Sequence, residues 1–247
     1  MSLEQSFEKQ GNFLFKYRGQ FPIFLFLLVL PFIYLSSSES LSDNIVLSYN
    51  YIAVILSIIG FLIRFYTIGT TPKNTSGRNT NKQIAETLNT TGMYSLVRHP
   101  LYLANYLIWL GISFYSYNLY FVIFMSLLFW LYYERIMFAE EAFLKRKFNN
   151  EFLIWSNNVS AFFPRNLSFT SPIIKFSVIS VLRREYSSFL SAITAFVYID
   201  ILRNYFKFLK FHISDEILTI SIISLCVVLV LRTVKHYTLL LNEIDRS

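Results

Sequence analysis

The chain has 247 residues, of which 54% are hydrophobic, 19% aromatic and only 15% charged, too little polar side chain to cover a soluble globule of this length. Its apolar blocks alternate with polar stretches, which predicts an all-α polytopic membrane bundle in which every span satisfies its own backbone hydrogen bonds. A single cysteine, Cys226, excludes a disulfide framework and cysteine-built metal sites, and His99, His212 and His236 are too scattered for a metal cluster, so no metal is expected. The net charge of +7 is assigned to anionic lipid headgroups rather than nucleic acid, because basic residues of membrane proteins gather in cytoplasmic loops.

In chain order, a first span is expected near residues 21–35, retained because no small-x-small cleavage site follows it. A second runs over 45–69 and carries Arg64 near its end. Spans near 102–116 and 119–138 are joined by so short a connection, Ser116-Tyr117-Asn118, that they form an antiparallel pair, and a cytoplasmic helix over 139–156 follows. Together these make a core over 1–170. Beyond it, Pro172 to Tyr186 reads as an interfacial helix, with Ile173, Phe176, Val178, Ile179 and Leu182 among basic residues. Spans over Ser188–Leu202 and Ile217–Leu231 complete the 171–247 segment. Lys9, Lys16 and Arg18 precede the first span and Lys73, Arg78, Lys82 and Arg98 follow the second, whereas the intervening loops have no basic residue. The positive-inside rule therefore puts the 70–99 loop in the cytoplasm, and with it the basic segment from Arg135 to Arg184.

That loop holds the densest polar information. Ser76-Gly77-Arg78-Asn79-Thr80 offers hydroxyls, an amide, backbone donors and a guanidinium, a set suited to phosphate or carboxylate oxygens or, equally, to a solvated turn. Arg98-His99-Pro100 stands where the third span begins, with Pro100 in the first turn, where its missing N–H costs nothing. Anchoring to headgroups accounts for Arg98 but poorly for His99. Paired acids, Glu140 and Glu141, follow the fourth span. In a continuous helix Glu140 heads an apolar face of Leu144, Phe148 and Phe152, while Glu141 faces Lys145 as a surface ion pair. Asp200 is expected to pair with Arg203 or Asn204, and Cys226 to be packing.

Gly60 and Arg64, Thr91-Gly92-Met93-Tyr94, Arg98-His99-Pro100-Leu101-Tyr102, Glu140-Glu141-x-x-Leu144, Phe148, Phe152, Trp155 and Phe163-Pro164 together resemble the isoprenylcysteine carboxyl methyltransferase and phospholipid methyltransferase superfamily over roughly 60–164. The resemblance implies an integral membrane enzyme using S-adenosylmethionine, with a cytoplasmic-side cofactor site formed by Tyr94, His99, Pro100, Leu101, Tyr102, Glu140 and Glu141. It also implies catalytic roles for Arg135, whose spacing matches approximately, and Glu140. The chain departs from the pattern at Ala104 and Asn149, where the family usually has glycine, and at Phe152, where it has tyrosine.

The loop from Thr75 to Gly92 resembles the bacterial branch described as lipid A 1-phosphate methyltransferases, which implies an inner-membrane location, a lipid substrate in the bilayer, and acceptor binding by Arg64, Arg78 and Arg98. An ionised phosphate needs no general base, so positioning and partial desolvation are the work expected of the protein. Alternative acceptors are a prenylcysteine carboxylate or a phosphatidylethanolamine amine. Outside the class stand a nicotinamide-dependent sterol-type reductase, disfavoured because a phosphorylated cofactor asks for basic residues where Glu140 and Glu141 lie, and a non-enzymatic lipid-binding protein, which leaves His99 and Glu140 without a task.

Overall fold

A computed structural model describes residues 2–38, 41–72, 75 and 83–243. Among them the elements are α1 (Leu3–Lys16), α2 (Phe21–Leu27), α3 (Val29–Ser36), α4 (Asp43–Gly69), a 3-10 helix (Gly92–Ser95), α5 (Pro100–Phe114), α6 (Leu119–Asn158), α7 (Val178–Phe208) and α8 (Asp215–Tyr237). No β-strand occurs among the described residues, where an isolated parallel bridge joins Val97 and Ser160. Four helices, α4, α6, α7 and α8, are long and apolar enough to cross a membrane, and α1 with the 21–36 run makes a fifth if that pair, bent by 84°, is one span. At 15 residues α5 is about 22 Å long, shorter than a ~30 Å hydrocarbon layer. This is a multi-pass membrane architecture.

Local chemistry explains the breaks. Pro31 lacks the N–H that would reach back one turn and crowds the carbonyl of residue 27, so the helix is interrupted at Leu28 and restarts as α3. Asn118 caps α6 through its side-chain oxygen on the Phe121 amide (2.9 Å), and Ser177 does the same for α7 on Ser180 (3.0 Å). Asp200, fully buried in α7, accepts from the Ser214 amide (2.7 Å), the Ser214 hydroxyl (2.9 Å), the Tyr115 hydroxyl (2.8 Å) and Asn204 (3.2 Å), tying the start of α8 to α7. Of its two expected partners it takes Asn204; Arg203 instead lies 3.4 Å from the centre of the Tyr117 ring.

α4 and α5 approach closely because Gly60 sits against the Ala104 carbonyl and Ile108, and Gly111 against Ala53 and Ser57. A side chain at Gly60 would meet backbone at 2.7 Å. Ala104, fully buried, fills one of the two positions where the resembled pattern has glycine.

The stretch before the first expected span, for which no element was read, is a helix: a capping box between Ser2 and Gln5 starts α1, whose Gly11 packs on the backbone of Arg135 in α6. Two expectations change. Residues 172–177 form no interfacial helix, because the Ser177 amide is held by the Gly69 carbonyl (2.9 Å), and 178–186 are the first turns of α7. Finally, α6 runs through from residue 119 to 158 but breaks at Asn149 (φ 45°, ψ −115°), so Glu140, Leu144 and Phe148 do not share one regular helical face with Phe152.

Candidate functional site

His99 ends an irregular segment that is clamped before α5 begins. The Arg98 amide donates to the Ser160 carbonyl (2.9 Å) and the His99 amide to the Ala161 carbonyl (3.1 Å), so the start of α5 is stitched to the chain leaving α6. Trp155 donates its indole N–H to the Tyr94 carbonyl at 3.0 Å. Gly92 takes φ +62°, a conformation that favours glycine, while its amide reaches the Thr170 carbonyl (2.9 Å). The glycine of Thr91-Gly92-Met93-Tyr94 is thus a turn requirement that delivers Tyr94 and His99.

His99, 6% exposed, lies between two carboxylates. Its Nε2 is 2.9 Å from Glu141 Oε1 and its Nδ1 3.5 Å from Glu140 Oε2. The Tyr102 hydroxyl donates to Glu140 Oε1 at 2.7 Å, and the Tyr102 ring stacks beside the imidazole. Arg98 brackets the cluster, with Nε 3.0 Å from Glu141 Oε1 and Nη1 donating to the Ser156 carbonyl (2.8 Å). The Nε contact has the distance of an ion pair but not the direction of a hydrogen bond, leaving that buried N–H without an acceptor. Glu141 therefore braces His99 and Arg98 rather than facing Lys145 as a surface pair. Burial alone would pull the His99 pKa down, but hydrogen bonds and charge from Glu140 and Glu141 outweigh it and hold the imidazole above its ordinary value. For Glu141, burial pushes upward and is outweighed by His99 and Arg98, so its carboxyl ionises below the usual range. Burial, reinforced by Glu140, keeps the Tyr94 phenol protonated.

These groups head a cavity of about 930 Å3. Arg64, Tyr94, Arg98, His99, Pro100, Leu101, Tyr102 and Glu140, all expected site residues, line it. Glu141 stands behind His99, outside the lining. Arg135 is elsewhere: its guanidinium lies 3.8 Å from the centre of the Phe7 ring on α1 and pairs with Glu134 (2.7 Å) and Gln10 (3.3 Å). Arg78 lies outside the described residues. From the ionisable end the cavity extends between α2, α5 and α7 along Ile23, Phe26, Ile112 and Ala195, a largely apolar lining that also includes Ser191, Thr194 and Tyr198 of α7.

Sequence reasoning passed over several lining residues. Arg18, Asn105, Tyr133, Arg184, Glu185 and Ser188 all face the cavity. Glu185 had one available signal, as the lone acid between Glu151 and Asp200 in a basic and apolar stretch.

A helical multi-pass membrane protein with an ionisable cluster at the head of an internal cavity is the class that fold and site define. The chain belongs to the family described as "Protein of unknown function (DUF1295)", which matches residues 3–155. It is also 40% identical over 90 residues to the cobalt-zinc-cadmium resistance protein CzcN of Cupriavidus metallidurans, a stretch covering 36% of this chain and 39% of that relative. No solved structure matches the chain. Among the described residues no group of three or more His, Cys, Asp or Glu side chains is arranged to hold a metal ion.

Proposed function

We propose that the protein is an S-adenosylmethionine-dependent methyltransferase that methylates an anionic lipid headgroup, with the 1-phosphate of lipid A as acceptor and the site on the cytoplasmic side of a bacterial inner membrane. The observation that carries this is the His99–Glu140–Tyr102 cluster opening onto a cavity whose far part is largely apolar. A small polar cofactor and a lipid make opposite demands on a site, and this cavity offers both kinds of surface.

The donor set fits the cofactor. Glu140 is the one carboxylate of the acidic pair that lines the cavity, suiting a cationic amine or sulfonium; Arg98 suits a carboxylate; the Tyr102 and Trp155 rings supply flat apolar faces. Held there, S-adenosylmethionine would supply a methyl group on a sulfonium with a neutral thioether as its leaving group, and an ionised phosphate as acceptor would present no proton for the protein to remove. Tyr102 fixes Glu140 through its 2.7 Å hydrogen bond, so the carboxylate is oriented before any ligand arrives. Glu141, itself paired with Arg98, holds the imidazole, and with it the wall of the site, from behind. Arg64 and Arg98 stand in the lining where an acceptor anion would be steered. The resistance to cobalt, zinc and cadmium in the relative's name has no matching ligand set among the described residues.

The test is expression in Gram-negative cells lacking such activity, fed methyl-labelled methionine, with lipid A, phospholipid and protein separated by mass spectrometry. Label on a lipid A phosphate, lost in Glu140→Ala, is the expected result. Label in phosphatidylethanolamine or protein overturns the acceptor; no label in any fraction, from folded protein that fails to bind the cofactor, overturns the class.

A further inference from the structure

Arg64 stands in the cavity wall with its guanidinium already occupied. Its Nε is 2.5 Å and its Nη2 2.9 Å from the two carboxylate oxygens of Glu185, a two-pronged pair, while Asn105 takes Nη1 and Ser188 Oγ lies 3.4 Å from Nη2. The side chains are 14% and 5% exposed. Glu185 comes from α7, beyond residues 3–155 that match the family, and reaches 121 positions back to meet Arg64.

Stability alone is a weak reason for such a pair, because withdrawing two charges from water cancels much of their attraction, and apolar side chains of similar volume serve about as well. Ile68 and Ile108 line the same cavity, so an apolar wall is available locally. What the pair provides is exchange. A guanidinium fork accepts a carboxylate and a phosphate with the same geometry, so an incoming anion can take over both prongs. Arg18 and Arg184 line the cavity too and lie on the same side of the charge balance as Arg64.

We propose that Glu185 holds, in the free protein, the place on Arg64 that the acceptor's anionic group takes on binding, and so selects doubly charged phosphomonoester headgroups over singly charged ones. A monoanion merely replaces one carboxylate with another and gains little. A phosphomonoester, carrying up to two charges near neutral pH, gains enough to displace Glu185. This rests on the acceptor side of the proposed function, but not on methyl transfer.

Native mass spectrometry of the full chain in detergent, titrated with dioleoyl phosphatidic acid and with dioleoyl phosphatidylglycerol, reads binding without catalysis. Wild type is expected to favour phosphatidic acid by about tenfold. Glu185→Gln is expected to bind phosphatidylglycerol about tenfold more tightly, collapsing the preference, and the Arg64→Gln/Glu185→Gln double variant to bind both lipids weakly. Should Glu185→Gln fail to fold with Arg64 unpaired, Glu185→Asp keeps the charge, loosens the fork, and is expected to shift the preference part of the way. Unchanged preference in the folded Glu185 variant, or preference surviving in the double variant, overturns the proposal. Phosphatidic acid selectivity that depends on Glu185, in a protein transferring no methyl group to any lipid, would keep this inference and remove the proposed reaction.

Discussion

His99 and Glu141 are joined at 2.9 Å between Nε2 and Oε1, and this contact turns the acidic pair of α6 into two unlike groups. Glu141 is committed to the protein, held by His99 and Arg98. Glu140, the next residue, keeps a face on the cavity. Adjacent positions on a helix point about 100° apart, so the imidazole must lie in the angle between them to touch both.

The division predicts unlike losses. Glu140→Gln is expected to weaken S-adenosylmethionine binding at least about tenfold with little change in melting temperature, since a charge aimed at the ligand is removed. Glu141→Gln is expected to cost about 1.5–3 kcal/mol of stability, the range for hydrogen bonds to charged groups, with a smaller effect on binding. Calorimetry for affinity and thermal unfolding for stability separate the two.

Acidity changes both properties, with opposite signs at the two ends. The His99 pKa is raised, so its contribution to stability is complete below the ordinary 6.5 and is lost as pH climbs through the raised value. The Glu141 pKa is lowered, so its contribution is complete above 4.5 and is lost as pH falls through the lowered value. Stability from this cluster is therefore expected to peak between those limits and to flatten in His99→Gln, as melting curves across pH would show. Cofactor binding should move the other way at the alkaline side: loss of the imidazolium proton frees Glu140 for a cationic ligand, so affinity rises with pH in wild type and not in His99→Gln.

Arg135→Ala is expected to leave cofactor affinity unchanged, because its guanidinium rests on Phe7 and pairs with Glu134 and Gln10 outside the cavity. The loss should be about 0.5–1 kcal/mol of stability, the worth of an exposed cation–π contact. A drop in turnover without a drop in stability would return Arg135 to the catalytic role implied by the resemblance.

Asn149 adopts φ 45° inside α6, at a position where the resembled pattern has glycine. Asn149→Gly is expected to stabilise the protein by about 1 kcal/mol and Asn149→Val to destabilise it by about 1–3 kcal/mol, from the strain that side chains carry at such angles. Chemical unfolding of the two variants in detergent gives the comparison.

Hydropathy located α4, α6, α7 and α8 because each must be apolar along the stretch that crosses the bilayer, a signal that depends on no partner. His99 and Glu140 were legible as residues that headgroup anchoring leaves unexplained, Tyr94 and Tyr102 came only with the family resemblance, and all four line one cavity. The amphipathic α1 went unread because its charged residues entered only the count of basic residues, although Gly11 and Phe15 bury one face of it. The 172–177 stretch has the composition of an interfacial helix, yet its backbone is claimed by Gly69. Glu185 escaped notice because its partner is 121 positions away and no local pattern marks so distant a pair.

Titration of purified full-length protein in lipid nanodiscs with S-adenosylmethionine, run beside Glu140→Gln and Arg135→Ala, bears most directly on the methyltransferase assignment. Saturable binding by wild type and Arg135→Ala, weakened at least about tenfold in Glu140→Gln, is the predicted result. Folded wild-type protein that does not bind the cofactor, or binding that is equal in all three, would contradict it.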